Sequence, residues 1–239
     1  MKVYFDGCSW TYGTDLDDVE KERYSKLVCK QLDAEEGNFA LKGGSNDRIV
    51  RNLLVENNIR EYDLAIIQMT LPPRTEFYMN DKWHRVNPRL NYMSWLHKPE
   101  KSIDDIKHWC VGSDGYHNDL WKKYYKVTSE KEYFSHKEKI HYQAIRDHCK
   151  VNDVPLILCS INPWTSLDFD LKMNELTLPV RKYSIVEQEE DHKVRRAMRK
   201  HVQDKEEDRV VKKSIPDKEG HRRLADRLLQ MYWQRMIYP

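Results

Sequence analysis

Leu64-Ala65-Ile66-Ile67 is a run of four apolar side chains with no polar residue among them. A short unbroken run of this kind suits a strand buried on both faces, as in a parallel sheet covered by helices on either side. Val154–Ile161 predicts a second such strand, ended by Asn162-Pro163. Lys2–Phe5 predicts a third, ended by Asp6-Gly7, and Asn38–Leu41 a fourth, closed by Gly43-Gly44. Between them the apolar spacing turns helical. Val19, Tyr24, Leu27, Val28 and Leu32 mark a helix over Asp17–Leu32. Ser45 caps a second helix carrying Ile49, Val50, Leu53 and Leu54. His136–Cys149 and about Asp217–Met236, after Pro216, predict two more. Strands alternating with helices predict an α/β fold: a three-layer α/β/α sandwich on a flavodoxin-like parallel sheet.

The 239 residues suffice for one domain with a substantial core. Two stretches break the alternation. Residues 74–134 are rich in Trp, Tyr, His and Asn with little periodicity, which predicts an insertion that covers a site as a lid. Residues 186–213 carry dense charge of both signs and predict a solvated flap. Lys and Arg number 41 against 39 Asp and Glu, a net of +2. That balance argues against a dedicated nucleic-acid binder. No apolar run approaches the roughly 20 residues of a membrane span. Met1-Lys2-Val3-Tyr4-Phe5 leads straight into polar residues, which predicts no signal peptide and a cytoplasmic location. The Lys-, Tyr- and Trp-rich composition suggests a viral or bacterial source, including a viral protein in a host cell. Cys8, Cys29, Cys110, Cys149 and Cys159 are scattered, without a C-x-x-C pair, and predict reduced thiols.

The glycines concentrate at the front: five of the eight lie within the first 44 residues. The segment Gly7-Cys8-Ser9-Trp10-Thr11-Tyr12-Gly13 places a serine directly after the first strand. A nucleophilic serine needs a tight turn that exposes Oγ above the sheet, with backbone N–H groups near the developing oxyanion. The carboxyl ends of parallel strands are where such sites form. Read on its Gly-x-Ser pattern alone, the segment is a strand-to-helix turn that only caps the helix. The longer pattern Gly-x-Ser-x-Thr-x-Gly resembles the first block of the SGNH hydrolases, the GDSL-type esterase and lipase superfamily. The resemblance implies that Ser9 is the nucleophile and that its own N–H serves the oxyanion hole. Cys8 stands where that family often has Asp, and is read as structural.

Asn38–Asn46, with Gly43-Gly44, resembles the family's second block and implies Gly44 as an oxyanion donor. Exposed N–H groups at a helix start agree with that role, and so does a plain turn capped by Ser45. Asp63–Thr70 resembles the third strand, but Leu71-Pro72-Pro73-Arg74 follows where the family has Gly-x-Asn-Asp. Gln68, Thr70 and Asn46 are the candidate substitutes. One donor fewer removes about 2.7–4 kcal/mol of transition-state stabilisation. Asp217-Lys218-Glu219-Gly220-His221 resembles the family's terminal Asp-x-x-His with one residue more. In one reading His221 is the general base and Asp217, or Glu219, orients it. In the other, His221 merely starts the helix and Ser9 is unactivated; if Ser9 is activated by another base, His192 or His201 is the next histidine to consider.

The resemblance implies hydrolysis of a carboxylic ester, such as an O-acetyl group on a carbohydrate, through an acyl-enzyme on Ser9, with no cofactor and no metal. Trp10, Thr70 and Arg74 are the expected substrate contacts, Arg74 as partner for an anionic group. The rival expectation is a non-catalytic protein of the same fold that holds a carbohydrate or a protein partner through Trp83, Trp95, Trp109 and their neighbours. A third reading, a nucleotide-related enzyme or RNA binder, needs a basic face at Arg195–Lys200 and Lys212-Lys213. His136, His141 and His148 share one helix without four-residue spacing, and predict solvated surface histidines rather than a metal site.

Overall fold

The computed structural model describes residues 1–86, 118–128, 131–162, 165–173 and 216–237. The expected flap at 186–213 lies outside them, as do Trp95, Trp109, His192, His201 and the basic segments. The described strands and α-helices are β1 (Lys2–Asp6), α1 (Ser9–Tyr12), α2 (Val19–Glu22), α3 (Tyr24–Leu32), β2 (Glu35–Asn38), α4 (Asn46–Arg51), β3 (Leu64–Met69), β4 (Thr75–Met79), β5 (Lys82–Val86), α5 (Asn118–Val127), α6 (Lys131–Val151), β6 (Leu156–Ser160), β7 (Leu171–Lys172) and α7 (Lys218–Ile237). The main sheet runs β2-β1-β3-β6-β7 and every pair in it is parallel. Counted within that sheet the order is 2-1-3-4-5, the flavodoxin-like doubly wound order.

Alternation along the central strands sorts their side chains into two layers. Val3, Phe5, Leu64, Ile66, Ile157 and Cys159 face one core, closed by Val28 and Cys29 of α3 and Leu224 and Leu228 of α7. Tyr4, Ala65, Ile67 and Leu158 face the other, closed by Ile49, Leu53, Ile145 and Cys149. All six residues of β3 are buried, as its apolar run predicts.

Several boundaries differ from the sequence reading. The second strand lies at Glu35–Asn38, upstream of Asn38–Leu41, although Glu-Glu-Gly-Asn is a poor strand sequence. Packing decides it. Glu36 is held by Arg23 at 2.7 Å and Lys26 at 2.8 Å. The Tyr62 ring lies against Gly37, where a Cβ would stand 2.5 Å from Cε1. The helix expected over Asp17–Leu32 is broken at Arg23, whose extended backbone separates α2 from α3. That break lets Arg23 bridge Glu20 and Glu36. The stretch expected to be an aperiodic lid holds an antiparallel hairpin, β4 and β5, and the helix α5.

Candidate active site

β1 and β3 are neighbours whose chain continuations leave in opposite directions, so the crevice beyond their carboxyl ends is the switch point of the sheet. Ser9 follows β1 at this point, and Thr70 and Arg74 follow β3. The turn that carries Ser9 is tightly built. Gln68 Oε1 accepts from Cys8 N–H at 3.1 Å and Thr11 Oγ1 at 3.0 Å. Gly7 is required there, since a Cβ would stand 2.2 Å from Thr11 Oγ1. Gly13, at φ +87°, ends the single helical turn of α1 in the left-handed region that glycine tolerates. Ser9 is half-buried, and its hydroxyl donates to Cys8 Sγ over 3.8 Å.

Cys8 is buried, and burial pushes its thiol up. The Arg74 charge and hydrogen bonds from Trp10 N–H, Thr70 and Ser9 outweigh that, and the thiol lies below its ordinary value. Arg74 Nη1 donates to Thr70 Oγ1 at 2.7 Å. Ser9, Cys8, Thr70 and Arg74 thus form one contiguous polar cluster at the switch point.

The other expected members of the site are engaged elsewhere. Gly44 N–H donates to Leu41 O at 2.7 Å. Asn46 braces the end of β3 from both ends of its amide: Nδ2 donates to Thr70 O at 3.0 Å, and Oδ1 accepts from Thr70 N–H at 2.7 Å. Trp10 packs in the core layer that contains Phe5, Leu224 and Leu228. Asp217 Oδ1 accepts from Gly220 N–H at 2.8 Å, a cap on the first turn of α7.

His221 is fully buried. Its Nδ1 accepts from Tyr24 N–H at 3.1 Å, and its ring stacks on Tyr24 at 5.9 Å between centroids. Burial pushes its pKa down to about 4, against smaller upward pulls from Asp217 and Glu22. The ring is neutral at pH 7. With Nδ1 accepting, its proton resides on Nε2, which has no hydrogen-bond partner among the described residues. Among the described residues no hydrogen bond joins Ser9 to His221 or the His221 ring to Asp217. A chain of contacts does reach the serine turn: the Tyr24 hydroxyl meets Thr11 Oγ1 at 2.8 Å, and Thr11 donates to Gln68.

A second polar cluster was not anticipated. His141, expected on the surface, is buried on α6. Its Nε2 lies 3.0 Å from Asp47 Oδ1, and its Nδ1 has no hydrogen-bond partner among the described residues. Asp47 Oδ2 also takes Lys137 Nζ at 2.8 Å and Thr75 Oγ1 at 2.6 Å. Burial raises the Asp47 pKa, but His141 and Lys137 bring it to about 2. Glu138 lies beside this group and holds Asn162 and Thr165, with burial raising its pKa. The signal was the three-residue step between Glu138 and His141, which puts both on one helix face. Among the described residues no cluster of His, Cys, Asp and Glu suits a metal ion, and no helix is long and apolar enough to cross a membrane.

No protein-family model matches the chain, and no curated protein does. Solved structures similar to it include esterases and two GDSL-type lipolytic proteins. One is the psychrotrophic esterase EstA from Pseudoalteromonas sp., at 9% identity over 98% of both chains with a TM-score of 0.44. Another is a catalytic mutant of Axe2, an acetylxylan esterase from Geobacillus stearothermophilus. It has 9% identity over 96% of this chain and 93% of that one, with a TM-score of 0.37. A GDSL-like lipase from Bacteroides thetaiotaomicron has 11% identity over 84% and 89%, with a TM-score of 0.28. Likeness this loose carries no argument about chemistry. The class is defined by the chain's own sheet order and layers: a doubly wound α/β/α sandwich with a polar crevice at its switch point.

Proposed function

We propose that the protein is a serine hydrolase of the SGNH kind, acting on a carboxylic ester such as an O-acetyl group on a carbohydrate. The observation that carries this reading is the position of Ser9. It follows β1 at the switch point, with its hydroxyl on Cys8 Sγ, in the polar cluster that Thr70 and Arg74 complete. In the reaction, Ser9 Oγ forms a bond to the carbonyl carbon and loses its proton to a base. The carbonyl oxygen gains negative charge, which in this reading the Ser9 N–H and Arg74 offset. The alkoxide leaves with a proton, and water then releases the acid from Ser9. His221 serves as the base in the tautomer protonated on Nδ1. Reaching that tautomer requires giving up the Tyr24 hydrogen bond.

A second reading is a binding protein that holds a carbohydrate or protein partner without turnover. It is favoured by one arrangement: Nδ1 of His221 is the acceptor, and Gly44 N–H is already bonded. Labelling with a fluorophosphonate, read by intact mass on wild type, Ser9→Ala and His221→Ala, separates the two. One adduct, lost in Ser9→Ala and slowed in His221→Ala, is the expected result. Folded wild type that takes up no adduct rejects the hydrolase in favour of the binding protein.

A further inference from the structure

Arg48 is a buried cation on α4 that belongs to neither polar cluster described above. Its guanidinium reaches two loops at once. Nη2 donates to the Asp6 carboxylate and to Gly7 O, at the start of the serine turn. Nη1 donates to Phe39 O, at the start of the loop that carries Gly44. Nε lies against Gly44 itself, where a Cβ would stand 2.8 Å away. The two loops touch directly at one further point, as Leu41 N–H donates to the same Gly7 O. Asp6 is fully buried, and its remaining contacts are Gly7 N–H, Asn52 Nδ2 and Tyr4 OH.

We propose that Arg48 is a positioning residue: it locks the Ser9 turn and the Gly44 loop into one rigid unit, and so fixes where the serine hydroxyl stands in the crevice. A buried ion pair is poor evidence for stability, because desolvation offsets most of its attraction. What Arg48 provides that an apolar side chain does not is simultaneous bonding to Gly7 O, Phe39 O and Asp6. The planar fork of arginine suits that task, and the point charge of lysine does not. The consequence for catalysis rests on the hydrolase reading, while the mechanical consequence does not.

Two readouts test it. The first is hydrogen exchange, followed by mass spectrometry, in wild type, Arg48→Met and Arg48→Lys. Arg48→Met is expected to speed exchange about tenfold or more in residues 7–13 and 39–45 together, with β3 and β6 unchanged. Arg48→Lys recovers only part of the protection. Exchange at wild-type rates, a response in one loop alone, or a uniform rise across the fold overturns the proposal. If Arg48→Met does not fold, Asp6→Asn supplies the same comparison, because it weakens the clamp while keeping its shape. The second readout is the fluorophosphonate labelling rate at Ser9, expected to fall about tenfold in Arg48→Met. Unchanged labelling with loosened loops limits Arg48 to a structural role and overturns the positioning claim. A wild type that does not label at all removes the hydrolase reading, and the exchange data then still decide whether Arg48 couples the loops.

Discussion

Tyr24 donates its backbone N–H to Nδ1 of His221, 197 positions further along the chain, and stacks its ring on the same imidazole. The contact joins α3 to α7 across one core layer. It also fixes the tautomer. A neutral imidazole whose Nδ1 accepts must carry its proton on Nε2.

His221 and Asp6 shift in opposite directions, and one variant of each separates their linkage to stability. Burial holds His221 near 4, below the ordinary 6.5, so its contribution is present above pH 6.5 and lost as pH falls through 4. Burial also raises Asp6 to about 6, against the downward pull of Arg48. Its contribution is therefore present below 3.8 and lost as pH rises through 6. The two oppose each other across one window. Relative to wild type, His221→Phe gains stability as pH falls from 6.5 to 4, and Asp6→Asn loses it from 6 to 3.8, each by about 3 kcal/mol. Urea unfolding at each pH measures both slopes.

Gly7→Ala drives a methyl group into Thr11 Oγ1 and Gln68 Oε1, the atoms that brace the serine turn. Overpacking of a rigid site costs about 2–3 kcal/mol. For a domain of this size the thermal midpoint falls by about 5–10 °C. A midpoint within 2 °C of wild type, roughly the effect of less than 1 kcal/mol, contradicts the close packing.

Gln68→Leu keeps the volume but removes the acceptor shared by Cys8 N–H and Thr11 Oγ1. The buried Cys8 N–H is then unsatisfied, at about 1–3 kcal/mol, while Thr11 Oγ1 keeps the Tyr24 hydroxyl. Chemical denaturation is expected to show a loss of about 1–3 kcal/mol with an unchanged m value. The Ser9 turn becomes more mobile, which proteolysis within residues 7–13 reads directly.

Asp47→Ala leaves Lys137 and His141 without their shared carboxylate, at a cost of about 2–3 kcal/mol. Thr75→Val removes one of the donors to that carboxylate and costs about 1 kcal/mol. Asp47 lies near 2, below the ordinary carboxylate value of 3.8. Its contribution is present above 3.8 and lost as pH falls through 2, so the Asp47→Ala deficit shrinks in strong acid. Thermal melts of the two variants at pH 7 and pH 3 check both the ranking and the trend.

The sequence by itself determined the central strands, the layer architecture and the place of Ser9. Leu64–Ile67 can only be buried on both faces, and a glycine-bounded turn after Lys2–Phe5 puts a serine at a strand end; these are local properties of pattern and volume. The tertiary structure decided the rest. Glu35–Asn38 pairs as a strand because Arg23 and Lys26 hold Glu36 and because Tyr62 needs Gly37 bare. His221 is an acceptor for Tyr24, Asn46 braces Thr70, and Asp217 caps α7. His141 meets Asp47 and Arg48 meets Gly7 and Phe39 only because the doubly wound order folds α4 and α6 against the same face of the sheet. A side chain's residue type states which bonds it is able to make. Which partner it bonds, and so which ring nitrogen carries the proton, follows from contacts between segments far apart in the chain, which no local pattern records.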